Sequence, residues 1–174
     1  MRTKLIGFGI FAALVIVVGI GANRIKTSPN TTLSAETVPP TELGINDHAT
    51  SVVRIGNKTF NVELALTLDQ QSLGLGGRDS LAKNSGMLFV FKPASIANFW
   101  MKDMRFNLDL VWVSDGKIIE ITRNAPAPKT GTKTEDLPTF SPNVPVDYVL
   151  EINSGSADGI KIGDRVEIAD SSQV

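Results

Sequence analysis

Two carboxylates interrupt apolar strands in this chain, and they are the residues best placed to do chemistry. Asp109 stands in the run Asn107-Leu108-Asp109-Leu110-Val111-Trp112-Val113, and Glu151 in Tyr148-Val149-Leu150-Glu151-Ile152. A carboxylate among apolar residues needs a hydrogen-bond donor, a cation or a ligand, because an unpaired buried charge is costly. Lys102, Arg105 and Arg78 are the candidate counter-charges for Asp109. On neighbouring strands the two carboxylates could form a general acid/base pair. Trp100, beside Met101, offers an aromatic face on which a sugar or an apolar chain can stack. The candidate ligand-binding residues are therefore Arg78, Trp100, Lys102, Asp109 and Glu151, with no catalytic residue and no metal ligand assigned. Each has a competing structural reading: Asp109 and Glu151 as strand-fixing ion pairs, Trp100 as core, and Arg78 as a satisfied arginine after the helix stop Gly74-Leu75-Gly76-Gly77. Trp112 lies on the apolar side of its strand and reads as core.

Composition removes whole classes of activity. The chain has no cysteine, so disulfides, thiolate nucleophiles and thiolate metal sites are absent. His48 is the single histidine, which argues against a histidine-dependent triad or a multi-histidine metal centre. A net charge of -1 offers no basic face for nucleic acid. No cofactor is indicated.

The elements that must position these residues begin after a leader. Residues 1–22 combine a basic start, Met1-Arg2-Thr3-Lys4, with an uncharged apolar run from Leu5 to Ala22, and they read as a signal anchor or a signal peptide. Either way the domain is expected outside the cytoplasm, in the periplasm or at the cell surface. An anchor holds it to the membrane through residues 5–22, and cleavage releases it as a secreted protein. Residues 23–47, rich in Thr, Ser and Pro, read as a flexible linker. Residues 48–170 then form a single β-rich domain.

Within that domain Gly56-Asn57 predicts a hairpin between Ser51–Ile55 and Lys58–Ala65, and Asp115-Gly116 predicts a second ahead of a strand over 117–123. Thr67 and Gln70 fit a capping box for a short helix that the glycines at 74, 76 and 77 end. Met87 to Phe91 reads as a strand buried on both faces, and 99–101, 107–113, 148–152 and 165–168 read as further extended segments. Between Asn124 and Asp147 there is no periodicity, and Pro126, Pro128, Pro138, Pro142 and Pro145 mark a long loop, a kind usually functional or disordered. The expected fold is mainly β: an antiparallel sheet curled into a small barrel or sandwich, with one or two short helices.

These segments also resemble a family. Gly74-Leu75, Arg78 and Leu81, then Gly86-Met87-Leu88-Phe89-Val90-Phe91, then Phe99-Trp100-Met101-Lys102 with Leu108-Asp109, then Tyr148-Val149-Leu150-Glu151 with Gly155, Gly159-Ile160 and Gly163-Asp164, are similar to domain-of-unknown-function family 192, the uncharacterised ACR family. The resemblance implies a compact β-rich domain, often behind a signal or anchor sequence, and no established reaction. The chain departs from the family pattern at Gly76, where Met is usual, at Asp103-Met104, where Asn-Thr is usual, and at Asn107, where Pro is common.

The expected function is an extracytoplasmic, membrane-tethered domain that binds a small molecule or envelope component near Trp100, Lys102 and Asp109, with the proline-rich loop as a cover. One alternative is an envelope polysaccharide hydrolase using Asp109 and Glu151. The other is a structural or assembly module that meets a protein partner.

Overall fold

The structure, a computed structural model, describes residues 49–169. The leader, the linker and His48 lie outside the described residues. No helix among the described residues is long and apolar enough to cross a membrane.

Nine strands, one short α-helix and a single 3-10 turn at Thr134–Asp136 make up the described chain. In order they are β1 (Thr50–Ile55), β2 (Lys58–Ala65), α1 (Leu68–Leu73), β3 (Ser85–Ser95), β4 (Phe99–Trp100), β5 (Leu108–Ser114), β6 (Lys117–Ala125), β7 (Thr139–Phe140), β8 (Val146–Asn153) and β9 (Val166–Ile168). Both expected hairpins form. The second turn has Asp115 and Gly116 at φ 51° and 68°, the paired positive values that match strand twist. Thr67 caps α1 by accepting the Gln70 N–H, and Gln70 reaches back to the Thr67 N–H, which completes the capping box.

Seven strands form one sheet in the order β6-β5-β8-β3-β2-β1-β9, while β4 and β7 pair separately. The sheet curls into a half-barrel. At one end the segment entering β9 reaches the start of β6: Gly163 N–H donates to the Ile118 carbonyl at 2.8 Å, and Val166 N–H to the Gly116 carbonyl at 2.9 Å. One pairing departs from the antiparallel expectation. β2 and β3 run parallel, with Asn61–Ala65 against Ser85–Phe89. The crossover through α1 and the glycine loop returns the chain to the end where β2 began, as a parallel pair requires.

Side-chain alternation gives the sheet two apolar faces. One face gathers Val53, Phe60, Leu88, Val111, Val113, Ile118, Leu150 and Val166. It draws on both ends of the sheet and so lies inside the curl. The other face carries Met87, Phe89, Leu110, Trp112 and Val149, and is covered by Leu75, Phe99, Met101 and Met104 from the connections. Trp112 is fully buried there, edge-on to Phe99 at a centroid distance of 5.4 Å, with its indole N–H on Thr122 Oγ1 at 3.0 Å. That confirms it as core.

Gly86 allows β3 and β8 to approach. A Cβ at that position would lie 2.6 Å from the Glu151 carbonyl oxygen and 3.0 Å from Ile152 Cγ2. Gly86→Ala is therefore expected to destabilise the domain by about 1–3 kcal/mol through overpacking, read as a lower urea midpoint with an unchanged slope. An unchanged midpoint contradicts the close approach.

Candidate functional site

The register of β5 against β8 separates the two carboxylates. Leu110 pairs with Glu151 and Asp109 with Ile152, one residue out of step. Residues directly opposite share a face and neighbours in sequence alternate, so Asp109 and Glu151 project from opposite faces of the sheet. The acid/base pair expected of a polysaccharide hydrolase does not exist in this fold.

Asp109 is held by backbone. One oxygen accepts the Asn124 N–H and the other the Ala157 N–H, each at 2.9 Å. Asn124 sits at φ 52° where the β5–β6 register slips, so the first bond fixes a bulge at the end of β6. The second anchors the turn after β8 over the inner core. Around them Asn107 accepts the Ala127 N–H and donates to Asn124 Oδ1, which also accepts from Ser154 Oγ. The cations expected to face Asp109 are engaged elsewhere. Arg78 forks onto Glu63 at 2.6 and 2.7 Å, Lys102 pairs with Asp103 at 2.8 Å, and Arg105 pairs with Asp79. The hydrogen bonds to Glu63 are the main reason the Arg78 pKa is raised, against a smaller effect of desolvation. Arg78 and Asp109 thus have partners within the protein, and neither lines the cavity described next.

Glu151 has the opposite surroundings. It stands between Met87 of β3 and Leu110 of β5, both fully buried, and is itself 5% exposed. Among the described residues no hydrogen bond or ion pair reaches its carboxyl group. Burial without a partner pushes its pKa up to about 8, so the side chain is largely protonated at neutral pH.

This carboxyl lines a cavity of about 330 Å³. Its walls come from three places. α1 and the loop after it contribute Gln71, Ser72 and Leu73 through Gly76; β3 contributes Phe89 and Phe91; and the β4 region contributes Asn98, Phe99, Trp100, Lys102 and Met104. Gly74, at φ 51°, caps α1 with an N–H to the Gln70 carbonyl at 2.9 Å. The loop is seated on the next wall by Gly77 N–H to the Asp103 carbonyl, also at 2.9 Å. A side chain at Gly76 would press on the Leu73 and Lys102 carbonyl oxygens at 3.1 and 3.3 Å. Phe99 stacks edge-on against Phe89 and Phe91, while Trp100 is 44% exposed. The core reading of Trp100 is therefore replaced by a position at the mouth. A wider groove of about 1050 Å³ adjoins, sharing Ser72, Leu73, Gly76, Lys102 and Met104 and walled on its far side by Pro128, Lys129, Thr130 and Leu137. Pairing of Phe99-Trp100 with Thr139-Phe140 ties this loop to the cavity mouth.

Of the five residues expected from sequence, the fold brings together Trp100, Lys102 and Glu151. Sequence reasoning missed Gln71, Ser72, Phe91 and Asn98. A Phe-x-Phe strand ahead of Phe99 was the available sign of an aromatic wall.

Fold and cavity together define a small half-barrel domain with a lateral, aromatic-walled cleft. The chain belongs to domain-of-unknown-function family 192, the uncharacterised ACR family, whose profile matches residues 51–168. No curated protein matches it. Among solved structures it is similar to a protein of unknown function from Novosphingobium aromaticivorans DSM 12444, with 32% identity over 80% of this chain and 99% of that one and a TM-score of 0.62. It is also similar to a protein of Sinorhizobium meliloti 1021 provisionally described as a transcription regulator, with 32% identity over 70% of this chain and 95% of that one and a TM-score of 0.61.

Two expectations follow. Asp109→Ala leaves the buried Ala157 N–H and the Asn124 N–H without an acceptor and is expected to cost about 2 kcal/mol or more, visible in urea unfolding; an unchanged midpoint contradicts the anchoring role. For Glu151, the folded pKa of about 8 lies above the ordinary 4.5, so the folded state keeps a proton that the unfolded state releases. Stability should therefore be full below about pH 4.5, fall as pH rises toward 8, and level off above it. At about 1.36 kcal/mol per pH unit the loss is on the order of 5 kcal/mol over that window. Glu151→Gln should abolish the slope; the same slope in the variant would place its origin elsewhere.

Proposed function

We propose that this protein is a membrane-tethered, extracytoplasmic domain that binds a small molecule in the cavity lined by Glu151, Trp100 and Lys102. One observation carries the reading: a carboxyl group that is almost fully buried, has no partner among the described residues and borders an aromatic-walled cleft. A purely structural carboxylate is satisfied by its own protein, as Asp109 is. A volume of about 330 Å³ is at the small end of ligand sites, and its wall combines aromatic side chains with the polar Gln71, Ser72, Asn98 and Lys102. The apolar run from Leu5 to Ala22 and the linker after it support the tether and a domain outside the cytoplasm. The proline-rich loop, tied to the mouth by the β4–β7 pairing, supports a role as a partial cover.

Native mass spectrometry of the full chain after incubation with a small-molecule envelope extract tests the binding. The expected result is a bound species that Glu151→Gln or Trp100→Ala weakens about tenfold or more, while the conservative Asp109→Asn leaves it unchanged wherever that variant folds. Retention in both cavity variants places the ligand elsewhere. A carboxy-terminal alkaline phosphatase fusion, active outside the cytoplasm, checks location; an inactive fusion overturns it.

A further inference from the structure

Of the charged and amide side chains around the cavity, all but Glu151 have a protein partner among the described residues. Gln71 Nε2 donates to the Val90 carbonyl at 2.9 Å, Lys102 Nζ to Asp103 at 2.8 Å, and Asn98 Oδ1 accepts from Ser141. Glu151, 5% exposed, receives nothing. We propose that the cavity takes an organic amine, its ammonium group seated on the Glu151 carboxylate and its apolar body held among Phe89, Phe91, Phe99 and Trp100. This rests on the ligand-binding reading above and names the class of ligand.

Three features select that class. A desolvated carboxylate gains most from a cation delivered into the same low-dielectric space, where attraction is strongest. Aromatic rings line the route to it, and their faces attract ammonium groups and stack on apolar bodies. The composition also disfavours other ligands. Above about pH 8, where Glu151 ionises, a carboxylate ligand would set a second negative charge beside it. A sugar's hydroxyls would find partners at Gln71, Ser72 and Asn98 but none on the phenyl rings beside Met104.

No other charge is placed to do the work of the ligand. Lys102 is the one cation lining the cavity among the described residues, and Asp103 holds it. On β2 the nearest acid is Glu63, across Met87, and it is bound to Arg78. β5 presents Leu110 beside Glu151, and α1 presents the uncharged Gln71 and Ser72. Seating the ammonium group ionises Glu151, whose proton leaves to solvent. Because burial holds the free group protonated up to about pH 8, amine binding is coupled to release of one proton below that value.

Calorimetry on the full chain in detergent, with benzylamine, benzyl alcohol and benzoate as probes, tests the assignment. These share one ring and differ in the head group, and benzylamine stays protonated through this range. Benzylamine is expected to bind at least about tenfold tighter than benzyl alcohol at pH 8. Its affinity should rise about tenfold per pH unit from pH 6 and flatten near 8, with one proton released per amine below 8. Glu151→Gln should remove both the preference and the pH dependence. If benzyl alcohol or benzoate binds as well as the amine, and Trp100→Ala removes that binding, the amine assignment fails while the cavity stands as a ligand site. PH-independent amine binding, amine binding intact in Glu151→Gln, or no binding of any probe also overturns the assignment.

Discussion

Two backbone N–H groups end on the side chain of Asp109, and through them β5 holds the bulge of β6 and the turn after β8. The Asn124 N–H comes from the bulge that ends β6, and the Ala157 N–H from the turn leaving β8. The carboxylate is 1% exposed, so neither bond can be exchanged for water without opening the inner core. The next residue of β5, Leu110, lies beside Glu151 on the other face of the sheet. Asp109 itself does not line the cavity there.

The contrast between the two acids separates structure from function here. Both are buried, both interrupt apolar strands, and they stand one step out of register on neighbouring strands. Asp109 is met by protein donors, and Glu151 is met by none among the described residues. The difference lies in what covers each face. Over Asp109 the chain folds back with turns whose amides point inward. Over Glu151 it places a glycine-rich loop and aromatic side chains, and none of the polar groups that line the cavity reaches its carboxyl.

Much of the architecture was legible because it is written in local chemistry. The Asp115-Gly116 turn, the Thr67–Gln70 capping box and the alternation of Leu108, Leu110 and Trp112 all act over a few residues. The parallel pairing of β2 with β3 was not legible, since it depends on where the crossover returns the chain. The site was half legible. Lys102 and Asp109, with Trp100 beside them, stood out as residues a core does not obviously require, and Glu151 shared the two readings of Asp109. That Asp109 belongs to a different face follows only from the β5–β8 register, which no local signal sets. Three of the four positions departing from the family pattern fall close by: Gly76 and Met104 line the cavity, and Asp103 pairs with Lys102 beside it, while Asn107 lies with Asp109.

Glu151 is a buried carboxyl group with no partner among the described residues, and the proposed binding site depends on that state. Carbon NMR of the side-chain carboxyl groups, with Glu151 assigned by comparison with Glu151→Gln, measures this directly. The Glu151 signal is expected to titrate with a midpoint near 8, well apart from the surface glutamates. A midpoint near the ordinary 4.5 would show a carboxylate already satisfied by water or protein, and would contradict it.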